Sequence, residues 1–214
     1  MRYAIVCGGR SRSFPDGDPF LAGAGGDGEV VVYLGGATYK ADPSKAAILI
    51  ELGSECLGVH TGEGQGGEGS NVLGFARWRN GGDPPSRLVE LVRQPATAEA
   101  AIAAATALFE SAGLAVALCA DQAGRIIDRL VRPKYNAALR MLDEGLASAT
   151  DLDLTCRLGL GYPEGPIERV VRGGLAHHHD VTRALFEVTG TPAYAPARRA
   201  LVAKQRAETE RDGG

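Results

Sequence analysis

Glycine-rich loops are the first residues of this sequence whose spacing could serve a chemical task. The sequence pattern G-x-G-x-x-G, which lets a helix N-terminus approach a pyrophosphate, occurs in residues 23–28 and in residues 64–69. A motif of this kind that binds a dinucleotide directly follows the first strand and begins a helix. Neither of the two patterns in this sequence does so. Both are therefore predicted to be flexible loops. The segment GGRSRSFPDGDP, which does follow the first predicted strand, lacks the spacing.

Histidine and cysteine are the other side chains that could transfer protons, attack a substrate or bind metal. The residues of the run His177, His178 and His179 point about 100° apart on a helix, so the three cannot ligate one ion together. The four cysteines are scattered without a CxxC pair and are predicted to be reduced core thiols. His60, beside a glycine-rich loop, is either ordinary surface or a candidate base. No metal site is predicted.

The composition places these residues in an ordinary globular chain. Its 214 residues, 44% of them hydrophobic, suffice for one large domain or two small ones. The net charge of −3 gives no field that would hold nucleic acid or an anionic membrane. No apolar run reaches the ~20 residues that span a bilayer. We therefore expect a cytoplasmic protein without a nucleic-acid or membrane partner.

Residues 1–120 carry an alternating pattern of strands and helices. Short strands are predicted at residues 3–6, 30–34, 57–59, 72–75, 88–92 and 114–118, and helices at residues 43–55 and 98–112. Short, continuous apolar runs of this kind are typical of a buried parallel sheet. The first part of the chain is therefore predicted to be an α/β domain.

Residues 121–207 are predicted to be helical throughout and to form a second, all-α domain. In the first helix, residues 122–145, Pro133 interrupts a broad apolar stripe and should kink the helix. A last helix is predicted at residues 196–207, and the charged tail, residues 208–214, is predicted to be frayed.

Three local signals place the ends of the helices between these two. Ser148 stands three residues before an Asp, as a helix N-cap does in a variant of the capping box. Pro166 suits the first turn of the next helix, and Gly190 is placed to end a later one.

Residues 143–166, which read DEGLASATDLDLTCRLGLGYPEGP, resemble the helical C-terminal domain of the 3-hydroxyacyl-CoA dehydrogenase family. That domain has an E-G-x-A-S-x-x-D-I/L-D run followed by L-G-x-G-Y-P-x-G-P. Upstream, GRIIDRLVRPKYNAAL matches the family's kinked helix, whose pattern is G-F-x-x-N-R-L and then P-Y-x-N-E-A. Downstream, ALFEVTGTPAYAP matches the closing helix and its tail. The similarity reaches back, more weakly, to residues 73–100.

The resemblance implies a truncated Rossmann-like sheet domain followed by a helical domain that forms much of a homodimer interface. It implies oxidation of the 3-hydroxyl of a fatty acyl-CoA, with NAD as cofactor and acyl-CoA as the small-molecule partner. In the family a His is the general base, a Glu orients that His, and a Ser and an Asn hold the substrate oxygen. Hydride leaves only as the hydroxyl proton is taken, so this chemistry requires a base.

The family's catalytic residues fall on few matching side chains in this chain. The Glu falls on Glu90, although a Glu at a strand end is equally an ordinary solvated or salt-bridging group. The His falls on Ala76, or on Arg77 in a shifted register, and neither takes a proton at working pH. The Asn falls on Asp128, whose charge would repel a developing alkoxide unless it were protonated or paired.

The family Ser lies in the segment LGVHTGEG, with Val59 or Gly58 as the nearest equivalent and His60 close by as a substitute base. These departures predict a degenerate active site. One hypothesis is a family protein of acyl-CoA metabolism with impaired or absent NAD-dependent catalysis. Another is a non-catalytic acyl-CoA-binding or dimerisation module that partners a complete dehydrogenase. A third is an enzyme that uses His60 or Glu90 as its base.

Overall fold

The computed structural model describes residues 2–63 and 69–212, with only the backbone of residue 212. The chain divides into a sheet unit, Met1–Arg79 with Pro84–Ile126, and a helical unit, Asn80–Asp83 with Ile127–Gly214. Most of the second G-x-G-x-x-G pattern, residues 64–68, lies outside the described residues, so the loop predicted there stays a prediction.

The sheet unit is built on one six-stranded sheet whose strands follow chain order. The strands are β1 Tyr3–Cys7, β2 Val30–Leu34, β3 Ala47–Glu51, β4 Val72–Arg77, β5 Leu88–Arg93 and β6 Ala115–Ala120. All neighbouring strands pair in parallel except β4 and β5, which are antiparallel. This mixed sheet confirms the predicted α/β class. The burial of nearly every residue of β2 and β4 accounts for their continuous apolar sequence.

Three helices accompany the sheet: α1 Pro19–Ala22, α2 Gly58–Thr61 and α3 Glu99–Ser111. The long α3 packs its apolar side chains against the buried face of the strands. Phe14 and Phe20, from the segment between β1 and β2, stack with ring centroids 4.1 Å apart, and both also stack on Phe109 of α3. Aromatic rings therefore fill the place beside α3, since only the four-residue α1 joins β1 to β2.

Two predicted elements of this unit were wrong. Residues 43–55 were expected to form a helix, but they contain β3, whose apolar side chains are buried on both faces. Residues 57–59 were expected to form a strand, but they lead into α2. The Asp121 carboxylate accepts the N–H groups of Leu57 and Gly58 at 2.6 and 2.8 Å, and this caps the helical turn.

The helical unit contains α4 Ile127–Asp143, α5 Ala149–Leu154, a π-helical turn Thr155–Gly159, α6 Pro166–Gly173, α7 Leu175–Thr189, a 3-10 turn Pro192–Tyr194 and α8 Arg198–Asp212. Its core joins α4, α6 and the start of α8 through Tyr135, Leu139, Ile167, Val170 and Ala197. No helix of the described residues is long and apolar enough to cross a membrane.

The local signals at the helix ends are confirmed. The Ser148 hydroxyl accepts the N–H of Asp151 at 3.1 Å, Pro166 is the first residue of α6, and Gly190 follows α7 with φ +64°. The frayed tail is corrected, because α8 continues through residue 212 and leaves only residues 213–214 outside the description. Residues 208–212 are helical because each adds one more turn-spanning hydrogen bond to an existing helix.

Candidate functional site

The position of the family's general base lies opposite the position of its orienting carboxylate. In the antiparallel pairing of β4 with β5, Ala76 is the Cα partner of Glu90. Side chains at directly opposed positions share a face of the sheet, with Cβ atoms about 5 Å apart. An imidazole at position 76 could therefore be oriented by Glu90. The chain instead places a buried methyl group there.

Glu90 is only 2% exposed and is not a solvated carboxylate at a strand end. Its Oε1 accepts the N–H of Ile126 at 2.8 Å, and its Oε2 lies 3.5 Å from Nε of Arg125. Arg125 is also buried and donates to the carbonyl oxygen of Gly53. A buried carboxylate is costly unless a counter-charge and hydrogen bonds compensate it. Glu90 is thus bound to the segment that follows β6.

Arg77, the alternative position for the family base, belongs to a different set of contacts. Its Nη1 lies 2.9 Å from Oδ2 of Asp18 and donates to the carbonyl oxygen of Ser13 at 2.8 Å. Its guanidinium also stacks over the Phe14 ring, 4.9 Å from the centroid. Arg77 holds the aromatic segment between β1 and β2 in place.

Asp128, the residue at the family's Asn position, lies in the first turn of α4 and is 8% exposed. Its Oδ1 accepts from Nε of Arg132 at 2.8 Å, so its charge is paired one turn along the same helix. Nη1 of Arg132 lies 3.3 Å from Nδ1 of His178. Asp128 is therefore the first member of a buried polar chain that joins α4 to α7.

His178 continues this chain and is fully buried. Burial is the main reason that its pKa falls to about 3, and the positive charge of Arg132 adds to the effect. The neutral ring accepts from Arg132 at Nδ1 and donates from Nε2 to Oδ1 of Asn136 at 2.9 Å. Asn136 in turn donates to the carbonyl oxygens of Ala193 and Ala195. Over residues 2–63 and 69–212, no three His, Cys, Asp or Glu side chains come together as metal ligands would.

His60 lies on α2 and is an exposed residue. Its Nε2 lies 3.2 Å from Oε1 of Glu55, whose carboxylate also accepts the N–H of Gly53 at 2.9 Å. The structure thus pairs the candidate substitute base with a carboxylate of the turn that follows β3.

A serine lies in the turn that follows β3. The strand ends at Glu51, so the turn after it contains Ser54, whereas Gly58 and Val59 are residues of α2. The carbonyl oxygen of Ser54 accepts the N–H of Gly124 at 2.9 Å, which joins this turn to the segment that holds Glu90.

The carboxyl ends of β1 and β2 do not fit a dinucleotide. A Rossmann sheet binds the pyrophosphate where β1 ends and a helix begins. Here the next helix is the four-residue α1, which begins only at Pro19. The loops after β1 and β2 also meet backbone to backbone, because a Cβ built on Gly35 would lie 2.2 Å from the carbonyl oxygen of Gly9.

Residues 124–214 match the family model described as 3-hydroxyacyl-CoA dehydrogenase, C-terminal domain. The helical part of the chain, residues 124–214, therefore resembles the C-terminal domain of 3-hydroxyacyl-CoA dehydrogenases. The match covers α4 to α8, which are the elements that carry the buried polar chain of Asp128 and His178.

Among 3-hydroxyacyl-CoA dehydrogenase relatives, a 3-hydroxybutyryl-CoA dehydrogenase of Mycobacterium tuberculosis is 36% identical over 115 residues, or 53% of this chain and 40% of that protein. The human mitochondrial hydroxyacyl-coenzyme A dehydrogenase is 34% identical over 92 residues, or 43% of this chain and 29% of that protein. The chain spans less than half the length of these curated relatives.

Solved structures of other proteins share the fold. M. tuberculosis FadB2 superposes with a TM-score of 0.72 at 24% identity, and the match covers 85% of this chain and 67% of that one. The (S)-3-hydroxybutyryl-CoA dehydrogenase PaaH1 of Ralstonia eutropha gives a TM-score of 0.70 at 21% identity, over 86% and 66% of the two chains. Both the sheet and the helices therefore follow the 3-hydroxyacyl-CoA dehydrogenase fold.

The sequence motif that identifies this 3-hydroxyacyl-CoA dehydrogenase domain has a structural role. The carboxylate of Asp153 accepts the N–H groups of Ile167 and Glu168 at 2.8 and 3.0 Å and so caps α6. Glu168 reaches back to accept the N–H of Gly165 at 2.6 Å. A Cβ on Gly165 would lie 2.2 Å from the Asp153 carboxyl group, so the close approach requires glycine there. This part of the motif therefore builds the turn at the start of α6.

Proposed function

We propose that this chain is a 3-hydroxyacyl-CoA dehydrogenase-family protein of acyl-CoA metabolism that binds acyl-CoA without oxidising it with NAD. The pairing of Ala76 with Glu90 carries this proposal. Hydride leaves a 3-hydroxyl only when a base takes the proton, and an alanine cannot take it. Glu90, which contacts Arg125 and the N–H of Ile126, has no imidazole to orient at position 76.

The remaining substrate-holding positions support binding more than turnover. Ser54 lies in the turn after β3, and we propose it as the equivalent of the family Ser. Asp128 stands where the family has an amide, and its pairing with Arg132 removes the repulsion that a free carboxylate would exert on a bound carbonyl oxygen. Without the amide N–H, however, position 128 cannot donate a hydrogen bond to a developing alkoxide.

An enzyme with a replaced active site is the less supported alternative. It would assign the role of base to His60 or Glu90. His60 is paired with Glu55, and Glu90 with Arg125. Glu90 would have to leave Arg125 before accepting a proton from substrate, and that would leave a buried charge without compensation.

Calorimetric titration separates these functions. Acetoacetyl-CoA is expected to bind the full chain, whereas NAD is expected to give no heat of binding. Coenzyme A alone is the control for contacts made only by the nucleotide moiety. Absence of acetoacetyl-CoA binding would overturn the acyl-CoA part of the proposal.

We also propose a homodimer formed through the helical unit. Large apolar side chains are exposed along the family motif and the π-helical turn: Leu154 is 44%, Leu158 80% and Leu160 62% exposed. Leu130 and Leu146, each 68% exposed, add to the apolar surface of the same unit. Exposed apolar residues in such number mark an interaction surface, and a second copy is the occupant that the family fold favours.

Sedimentation velocity tests the dimer with a matched pair of variants. Leu158→Glu is expected to shift the protein to the monomer at micromolar concentration, because it buries a carboxylate in the apolar contact. Val59→Glu is the control, since Val59 is 71% exposed on the sheet unit. A monomeric wild-type chain, or equal effects of the two variants, would contradict the proposed interface.

A further inference from the structure

The carboxylate of Glu51 lies where three parallel strands end. Glu51 is the last residue of β3, and its Oε1 accepts from the Ser11 hydroxyl at 2.8 Å and from the Ser13 N–H at 2.7 Å. Its Oε2 accepts from the N–H of Gly35 at 2.8 Å. Ser11 and Ser13 follow β1, and Gly35 follows β2. One side-chain anion therefore takes three donors from the two loops at this edge.

Such a set of donors is what an α/β sheet offers to a phosphate group. Backbone N–H and hydroxyl groups that converge after the first strand hold the phosphates of nucleotides in open parallel sheets. Glu51 supplies the oxygens and the negative charge from within the chain. A ligand phosphate beside this carboxylate would be repelled, because both groups carry negative charge. The donors at this edge are therefore already engaged by an anion.

The loops that carry these donors are closed on each other. The N–H of Gly8 donates to the carbonyl oxygen of Leu34 at 3.0 Å. A Cβ built on Gly8 would lie 2.7 Å from the backbone nitrogen of Ala37, and one on Gly35 would lie 2.2 Å from the carbonyl oxygen of Gly9. Gly35 adopts φ +59°, which suits glycine. Backbone fills the space that a pyrophosphate would need between the two loops.

We infer that Glu51 is an intramolecular substitute for a nucleotide phosphate, which holds the loops after β1 and β2 closed and excludes NAD from this edge. The donors that could recognise an anion are present at this edge, and the Glu51 carboxylate accepts their hydrogen bonds. This inference concerns the cofactor edge alone and does not depend on whether the chain binds acyl-CoA. Removal of the carboxylate should expose the three donors as a site for a small anion.

Thermal unfolding with added anions tests the substitution. Glu51→Ala is expected to lower the melting temperature by several degrees, and inorganic phosphate or acetate at constant ionic strength should restore part of that loss. The wild type should show no such stabilisation beyond that given by chloride. Glu55→Ala is the matched control, because Glu55 also accepts a backbone N–H but lies outside this set of donors. It should lose stability without recovering it in phosphate.

Amide resonances locate the effect. In Glu51→Ala, phosphate should shift the amide signals of Ser13 and Gly35, while Glu51→Gln, which keeps the side-chain volume without the charge, should respond more weakly. Equal stabilisation of wild type, Glu51→Ala and Glu55→Ala by phosphate would overturn the inference. NAD titrated into the wild type decides the matter even if Glu51→Ala does not fold. A shift of the Ser13 and Gly35 amides by NAD would overturn the inference, whereas unchanged amides are the expected result.

Discussion

Polar side chains connect different kinds of partner in the two units. In the helical unit, Asp128, His178 and Asn136 belong to a chain of side chains that links α4, α7 and the segment before α8. In the sheet unit, Glu51 and Glu90 instead bind the backbone N–H groups of loops that follow other strands. The helical unit thus uses its polar residues to hold helices together. The sheet unit uses two carboxylates to hold loops closed.

The difference is consistent with our proposal that the chain keeps the helical domain of the family without its activity. The motif of residues 143–166 persists because Asp153 and Gly165 form a helix cap that the fold needs. The base position at Ala76 carries no such structural task, so the sheet tolerates a methyl group there. A chain can therefore keep the helical domain of the family while the residues that would transfer a proton are replaced.

Asn136→Ala should cause the largest loss, because it breaks the polar chain of the helical unit. It leaves the imidazole N–H of His178 and the carbonyl oxygens of Ala193 and Ala195 without this partner. The free energy of unfolding, measured with urea, should fall by about 3 kcal/mol. Arg140→Ala is the control, since Arg140 also donates to Ala195 but lies nearer the surface, and it should cost under about 1 kcal/mol. Equal losses of unfolding free energy in the two variants would show that the buried polar chain stabilises the fold no more than a hydrogen bond nearer the surface.

Glu90→Gln tests the corresponding group of the sheet unit. The buried guanidinium of Arg125 would lose its counter-charge, and we expect a loss of roughly 2 to 3 kcal/mol of unfolding free energy. Adding Arg125→Met should recover part of that loss, because it removes the uncompensated charge. Glu187→Gln, at an exposed ion pair with Arg183, should change the stability by less than about 1 kcal/mol. A double variant no more stable than Glu90→Gln alone would argue against the pair.

Acid should weaken the helical unit through His178. Its pKa is lowered to about 3 in the folded state, whereas the unfolded side chain has its ordinary value of about 6.5. The unfolded state therefore takes up a proton as the pH falls through about 6.5, and the folded state does so only near 3. His178 alone should remove about 2 kcal/mol of unfolding free energy between pH 7 and pH 5. The His178→Gln variant should lack this loss of unfolding free energy between pH 7 and pH 5, whereas His60→Gln should keep it. A slope that survives His178→Gln would assign it to other groups.

Ser148→Ala is the smallest of these changes and tests a local signal. It removes the oxygen that accepts the N–H of Asp151 at the start of α5, so we expect a loss of about 1 kcal/mol. Ser111→Ala, which removes only a side-chain donor to the carbonyl oxygen of Leu108 at the end of α3, should cost less. Urea unfolding of both variants measures the comparison, and a larger loss for Ser111→Ala would contradict it.

Sequence predicted the parts of this molecule whose causes are local. Ser148, Pro166 and Gly190 fix helix ends through residues next to them, and those ends were confirmed. The strand β3 was predicted as a helix, because a short apolar run suits either element until its neighbours bury both faces. Only the pairing of β3 with β2 and β4 distinguishes the two.

The candidate site depended on contacts that are distant in sequence. Glu90 binds a backbone group 36 residues away, and Ser11 reaches Glu51 across 40 residues. His178 meets Asn136 across 42 residues. No periodicity or spacing reports such partners, so the sequence indicated which residue types were missing but not what the remaining ones bind.

The proposed lack of dehydrogenase activity is tested most directly by following NADH absorbance with acetoacetyl-CoA and the full wild-type chain. We predict no turnover above the rate without protein, because no side chain at position 76 takes or gives the proton. Turnover by the wild type that Glu90→Gln abolishes would contradict this prediction and would establish Glu90 as part of a working active site.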